Sequence, residues 1–143
     1  MATAYTLLDE YTRVPTADRI GEIYTVRAEF PLAAALVVND TIDLVTVPAG
    51  HLVTDLVLAA DDLDTNVAPA ITLDVGIKGG DADQFFAAST VAQGGGVVRP
   101  TVVTAFRDVA TTADRVVQAL VKAAPATGAT EGKITLLVSY RAK

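Results

Sequence analysis

The side chains that carry most enzyme chemistry are scarce in this sequence of 143 residues. Cysteine and tryptophan are absent, and His51 is the single histidine. Nucleophilic catalysis needs a nucleophile, a base and a group that orients the base. The two serines, Ser89 and Ser139, both lie outside any Gly-x-Ser-x-Gly turn. Since His51 directly follows a Pro-Ala-Gly turn, we expect an exposed or rim histidine. Because no group of residues has the pattern of a catalytic site, we predict no enzyme activity and no catalytic residue.

Acidic residues offer a second kind of chemistry. Asp62, Asp64 and Asn66 have the alternating spacing of the oxygen ligands in the first half of a calcium-binding loop. The glycine and the distal glutamate of that loop are missing, so we favour a solvated turn held by an Asx hydrogen bond, with an adventitious calcium ion as the alternative. A glycosidase pair is disfavoured because sugars stack on aromatic rings, and only 6% of the residues are aromatic. We therefore predict no metal site and no cofactor.

The charge and hydropathy of the chain argue against two classes of partner. Acidic residues outnumber basic ones by 17 to 11, which gives a formal net charge of −6. An acidic surface repels phosphate groups, so we expect no nucleic-acid partner. No uncharged apolar stretch approaches the roughly 18 residues of a membrane helix, so we expect no membrane partner. The first residues lack the pattern of a signal peptide, which favours synthesis for the cytoplasm.

The elements that must position these residues are predicted to be strands. The chain is rich in valine and threonine, whose β-branched side chains suit pleated surfaces. Alternation of apolar and polar residues predicts strands over 22–30, 41–47, 70–77 and 133–140, and residues 51–60 are expected to be the partner strand of 41–47. Residues 97–106 are also strand-like, although Pro100 favours an edge position or a bulge. Pro48, Ala49 and Gly50 are residue types of a tight turn, so strands 41–47 and 51–60 are expected to pair as a hairpin.

Three segments permit more than one interpretation. Residues 84–92 fit a short helix capped by Asp81 or Asp83, with a strand as the alternative. Residues 114–124 fit both periodicities, and their valines favour a strand over a helix. Residues 1–21 fit neither pattern, and we interpret them as an extended arm, with an edge strand or a frayed tail as the alternative. Because the arm is too apolar for a solvated tail, we expect it to bind a partner through Tyr5, Leu7, Leu8, Tyr11 and Val14.

These elements predict an all-β fold. Seven to eight short strands with turn signals between them are typical of a β-sandwich or jelly roll, here with an extended N-terminal arm. The predicted organisation is an arm at 1–21 and a single β-sandwich domain at 22–143.

Four stretches of the sequence form a series that resembles a known group of proteins. They read DTIDLVTVPAG at 40–50, DLDT at 62–65, PAITLDVG at 69–76 and APATGATEGKITL at 124–136. In this order they resemble small structural proteins encoded in tailed-phage genomes, commonly beside the major capsid protein. Members of that group are described as capsid decoration (cement) or head proteins. The likeness covers residues 22–141, with the exception of 81–96, and leaves out the arm.

The resemblance implies a virion structural protein that decorates the capsid surface. Such a protein is made in the host cytoplasm, binds the major capsid protein on the outside of the head and stabilises the shell. Capsid threefold positions favour a homo-oligomer, and among these a trimer. The resemblance transfers no catalytic residue. The alternatives are a tail, connector or head-fibre component and a small-molecule or sugar-binding β-sandwich module.

Overall fold

The structure, a computed structural model, describes residues 2–6 and 22–143. Regular structure in these residues is almost entirely β, with short 3-10 turns at Val91–Gln93 and Val103–Phe106. No helix in the described ranges is long and apolar enough to cross a membrane. The described strands are β1 Ala4–Thr6, β2 Ile23–Pro31, β3 Thr41–Val47, β4 His51–Ala60, β5 Thr72–Ile77, β6 Phe86–Ser89, β7 Gly96–Val98, β8 Arg115–Ala123 and β9 Lys133–Ala142.

The strands form two sheets. One sheet has five strands in the order β1-β3-β8-β5-β6, and the other has four in the order β2-β9-β4-β7. β1 runs parallel to β3, whereas the pairs around β8 and β9 are antiparallel. The all-β sandwich is thereby confirmed, with nine strands described rather than seven to eight.

The core lies between the two sheets and follows the alternation of side chains along the strands. In β9, every second residue from Ile134 to Tyr140 is buried. Phe85, Ile42 and Leu56 are among the large side chains that fill the same core. Each fully buried side chain of this kind stabilises the fold by about 1.5–3 kcal/mol, so the core supplies the main favourable contribution to folding.

The hairpin predicted around Pro48–Gly50 is wrong, although the turn itself is present. Gly50 has a φ of 75°, and the His51 amide donates to the Pro48 carbonyl oxygen at 3.3 Å. β3 pairs with β8 in one sheet, however, and β4 pairs with β9 in the other. A tight turn reverses the chain but does not dictate whether the two strands lie side by side or face to face. The face-to-face arrangement buries both Val47 and Val53 in the core.

The helix predicted over residues 84–92 is also wrong. The segment forms β6 and then the 3-10 turn at Val91–Gln93. A distant carboxylate holds the strand in place, because Asp74 accepts a hydrogen bond from the Ala88 amide at 2.7 Å. Ala88 has a φ of 49°, which interrupts any regular helix at this point.

Of three further predicted strands, two are confirmed and the third ends early. The strand preferred for 114–124 is confirmed as β8, and the one at 133–140 is confirmed as β9. The strand predicted over 97–106 ends at Val98, before Pro100, and the 3-10 turn at Val103–Phe106 follows. Proline has no N–H to give to a strand partner, which explains why the pairing stops there.

Gly76 is the glycine at which a side chain would be most damaging. A Cβ atom there would lie 2.1 Å from the Asp81 carbonyl oxygen and 2.4 Å from the Ala82 carbonyl carbon. We expect Gly76→Ala to lower the free energy of unfolding by about 2–3 kcal/mol, because backbone atoms must move to make room. Urea denaturation measures this change. Gly94→Ala is the control, since a Cβ at Gly94 meets nothing within 4 Å, and equal losses in the two variants would contradict the argument.

Candidate functional site

His51 is buried, so the expectation of an exposed or rim histidine is wrong. Its ring lies edge-on to the Tyr140 ring at 5.6 Å, and its Nδ1 atom lies 3.0 Å from the Ala49 carbonyl oxygen. No residue near His51 in the sequence indicates this burial, because its ring partner Tyr140 comes from β9, near the end of the chain. Edge-to-face contact is a favourable packing arrangement for aromatic rings. His51 therefore closes one end of the core beneath the β3–β4 turn.

Both serines make hydrogen bonds within the fold. Ser139 shares a hydrogen bond of 2.8 Å with the Thr25 hydroxyl across the β2–β9 pair. The Ser89 hydroxyl accepts the Val91 amide at 3.4 Å, in the bend after β6. These contacts stabilise the sheets and the bend.

Asp64 organises the end of the sandwich where calcium ligands were considered. Its side chain is buried, and its carboxylate accepts the amides of Ala70 at 2.7 Å, Ala126 at 2.8 Å and Thr127 at 2.9 Å. Burial raises the pKa of Asp64, but the hydrogen bonds from these amides and from Ile71 outweigh it and hold the pKa far below its usual range. Asp64 thus ties loop 61–70 to loop 124–132.

The Asx turn predicted for this region is confirmed at Asp62, whose carboxylate accepts the Asp64 amide at 3.1 Å. The solvated character expected of the whole motif is wrong for Asp64, because long-range amides occupy its oxygens. In residues 2–6 and 22–143, no group of three or more His, Asp or Glu side chains has an arrangement that could hold a metal ion.

A second carboxylate pins the loop between β7 and β8. Arg115 donates to Asp108 through Nη1 at 2.6 Å and Nη2 at 2.9 Å, and both side chains are largely buried. Asp108 also accepts the Val53 amide at 2.8 Å and the Gln84 side-chain amide at 2.9 Å. Burial raises the pKa of Asp108, but these hydrogen bonds and the Arg115 charge outweigh it, so the pKa lies below its usual range. No sequence spacing indicated this pair.

The pinned loop presents three large apolar side chains to solvent, which we call the loop patch: Val103, Phe106 and Val109. Their exposed fractions are 59%, 59% and 69%. Asp108 anchors the backbone between Phe106 and Val109, so the patch is held in a fixed position relative to β4. Exposed apolar side chains on an ordered surface are typical of protein contact sites.

The described part of the arm forms a site of a different kind. β1 adds to the edge of the five-stranded sheet, with Ala4, Tyr5 and Thr6 paired to Thr41, Ile42 and Asp43. Of the five partner-binding residues predicted in the arm, Tyr5 therefore contacts the body of its own chain, where its ring lies 5.1 Å from the Phe30 ring. The others, Leu7, Leu8, Tyr11 and Val14, lie outside the described residues.

A groove follows the side of the sandwich opposite β1. β6 and β7 are the last strands of their sheets there, and the groove between them has a volume of about 490 Å³. It is lined by residues 86–91, 94–99 and 101. In its glycine-rich wall, Gly95 lies close to the backbone of Asp62, whereas a Cβ atom at Gly94 or Gly96 would meet nothing within 4 Å.

Comparison with known proteins identifies the family. No family model matches the chain, and no curated protein matches it either. Among solved structures, a chain in the capsid of Ralstonia phage GP4 is 38% identical, covers 92% of this chain and 91% of that chain, and superposes with a TM-score of 0.85. This chain belongs to a family of bacteriophage capsid proteins.

Two further capsid chains share the fold of this capsid protein. A chain in the cyanophage Pam1 capsid asymmetric unit is 27% identical, covers 93% and 94% of the two chains and has a TM-score of 0.73. A chain in the acidic stable capsid structure of Helicobacter pylori bacteriophage KHP30 is 21% identical, covers 85% and 89% and has a TM-score of 0.62.

The resemblance to phage head structural proteins is thereby confirmed, and the capsid protein is a structural component of the virion. Its capsid neighbours point to a structural rather than an enzymatic role. Three of the four stretches behind the resemblance meet at one place in the structure, because residues 62–65, 69–76 and 124–136 supply Asp64 and the amides it binds.

Proposed function

We propose that this capsid protein is a decoration (cement) protein on the outer surface of the phage head. It binds the major capsid protein and stabilises the shell, and it works as a homo-oligomer, with a trimer favoured by the threefold positions of icosahedral shells. The proposal includes an organisation into an arm at 1–21 and one sandwich domain at 22–143, with Tyr5, Leu7, Leu8, Tyr11 and Val14 contacting neighbouring subunits.

The observation that carries the proposal is the loop patch. Asp108 and Arg115 hold the patch rigid before any partner arrives, which reduces the entropy lost on binding. Covering three half-exposed apolar side chains supports only a modest affinity for each copy. Many copies on one symmetric shell, linked within oligomers, then gain avidity without a single strong contact. The net charge of −6 agrees with a position outside the shell, away from DNA.

Cosedimentation with purified shells of the phage that encodes the chain tests the proposal. We expect saturable binding at a fixed ratio to the major capsid protein, and we expect Phe106→Ser to weaken it at least about tenfold, as for a central apolar contact residue. Val67→Ser is the matched control. Val67 is an apolar residue that is even more exposed than Phe106, and it lies in loop 61–70, which follows the last residue of β4. The loop patch is anchored near the first residues of β4, where Asp108 accepts the Val53 amide.

Two results would contradict the proposal. One is absence of binding to mature shells while the protein is found in tails or necks, which would favour the tail or connector alternative. The other is an equal loss of binding in Phe106→Ser and Val67→Ser, which would show that the loop patch is not the contact surface.

A further inference from the structure

We propose that β1 is an exchangeable strand, so that the edge of β3 that binds Ala4–Thr6 within one copy also binds the same strand from a second copy. The inference rests on the proposed homo-oligomer and names the contact that would link its copies. Exchange of an identical element between protomers creates an interface without any new contact.

The receptor for the strand is built from the body of the chain. The carboxylate of Asp40 is buried, with one oxygen accepting the Val37 amide at 2.9 Å and the other accepting the Thr3 amide at 2.6 Å. The Thr41 amide donates to the Thr3 carbonyl oxygen at 3.0 Å. Residues 37–41 therefore present a donor and an acceptor that recognise the backbone of an incoming strand, whichever copy supplies it.

Side-chain packing and strand pairing complete the receptor. Phe30, from the other sheet, receives the Tyr5 ring, and three residues of β3 form the parallel ladder with β1. Without β1, this edge of β3 would leave backbone groups unpaired, since β8 occupies only the opposite edge. Unpaired strand edges bind other strands readily.

The stretch of chain between β1 and the rest of the protein is long enough for the strand to bind either its own copy or a neighbouring one. Fifteen residues, 7–21, separate Thr6 from Glu22, and a stretch of that length can span at most about 50 Å. A compact body of the size of residues 22–143 is only about 35 Å across. The link is thus long enough to reach an adjacent copy. The contacts are the same whether the strand comes from the same chain or from a second copy. The effective concentration of the chain's own strand, which a flexible link holds in the millimolar range, therefore competes with the concentration of the second copy.

Disulfide trapping tests the exchange, since the natural chain contains no cysteine. Two single-cysteine chains, Ala4→Cys and a size-tagged Thr41→Cys, are mixed at about 1 mM, incubated and oxidised. Ala4 and Thr41 are direct partners in the ladder, and paired strand residues lie within disulfide range. The control replaces Thr41→Cys by Ala87→Cys, because Ala87 is exposed on β6, at the other edge of the same sheet.

We expect at least about tenfold more disulfide-linked heterodimer with Thr41→Cys than with the Ala87→Cys control. A doubly substituted chain, Ala4→Cys with Thr41→Cys, shows that the geometry permits the bond. If that chain forms the bond only within itself and the mixture gives no excess heterodimer, the exchange is overturned. Shell cosedimentation is a separate readout, so decoration without exchange and exchange without decoration are distinguishable results.

Discussion

Replacing Asp64 with alanine is expected to open the end of the sandwich formed by loops 61–70 and 124–132. The substitution leaves the amides of Ala70, Ile71, Ala126 and Thr127 without the acceptor they share. Unpaired amides in a buried site are strongly unfavourable, so we expect the melting temperature to fall by roughly 10 °C or more.

Thermal unfolding followed by circular dichroism measures the overall effect, and hydrogen exchange at Ala126 and Thr127 localises it. Asp62→Ala is the matched control, because Asp62 is exposed and accepts the amide of Asp64 in a local turn. The melting temperature of Asp64→Asn should lie between those of Asp64→Ala and Asp62→Ala. Asparagine keeps one acceptor oxygen, but its side-chain amide brings donors into a site that already holds amide donors. Equal melting temperatures for Asp64→Ala and Asp62→Ala would refute the role given to Asp64.

Removing one partner of the buried Asp108–Arg115 pair is expected to have the second large effect. Arg115→Met leaves the Asp108 carboxylate uncompensated inside the protein, and breaking a buried pair in this way costs about 3–5 kcal/mol. In the double variant with Asp108→Leu we expect only part of this loss to be recovered, because the Val53 amide and the Gln84 side chain lose their acceptor as well. Arg115 Nε is itself buried without a hydrogen-bond partner in the described structure, so the native pair is not ideal.

The same pair predicts a dependence of stability on pH. The pKa of Asp108 is lowered in the folded protein, so its contribution is fully present above the unfolded value of about 3.9. That contribution is lost as the pH falls through the lower folded pKa. We expect unfolding free energies from urea titrations to be steady between about pH 5 and 7 and to drop below about pH 4. Arg115→Met should reduce this drop, and the part that remains comes from other carboxylates with a lowered pKa, such as Asp64.

A surface pair provides the control for both measurements. Lys133 and Glu29 form an ion pair of 2.7 Å across β2 and β9, and both side chains are well exposed. Surface pairs contribute little to stability, so the free energy of unfolding of Lys133→Met should be close to that of the wild type. If Lys133→Met and Arg115→Met lose the same stability, burial of the Asp108–Arg115 pair has no special importance.

Alternation predicts β9 well, and its predicted range lies within two residues of the observed ends. Residues 114–124 fit both periodicities, and their valines rather than alternation favour the strand that forms β8. Alternation reports which face of a strand is buried, and that property is local in sequence. For the same reason it could not say which strands lie in the same sheet.

The features that sequence reasoning missed depend on distant residues. Local signals predict a hairpin at the β3–β4 turn, because nothing near Pro48 shows that β8 and β9 supply the strand partners. Local signals also predict a helix where β6 forms, because Asp74, which holds that strand, lies 14 residues away from Ala88. The spacing of Asp62, Asp64 and Asn66 was visible, but the amides that occupy Asp64 come partly from 126–127.

The positions of β8 and β9 set the order in which the protein can acquire its structure. β8 lies between β3 and β5, and β9 lies between β2 and β4, so each sheet is joined in its middle by a late segment of the chain. While residues 22–98 emerge during synthesis, their apolar strands have no partners to complete either sheet. Topologies of this kind fold slowly and leave strand edges exposed meanwhile. Neither sheet of this capsid protein can therefore be completed before β8 and β9, the last two strands of the chain, are available.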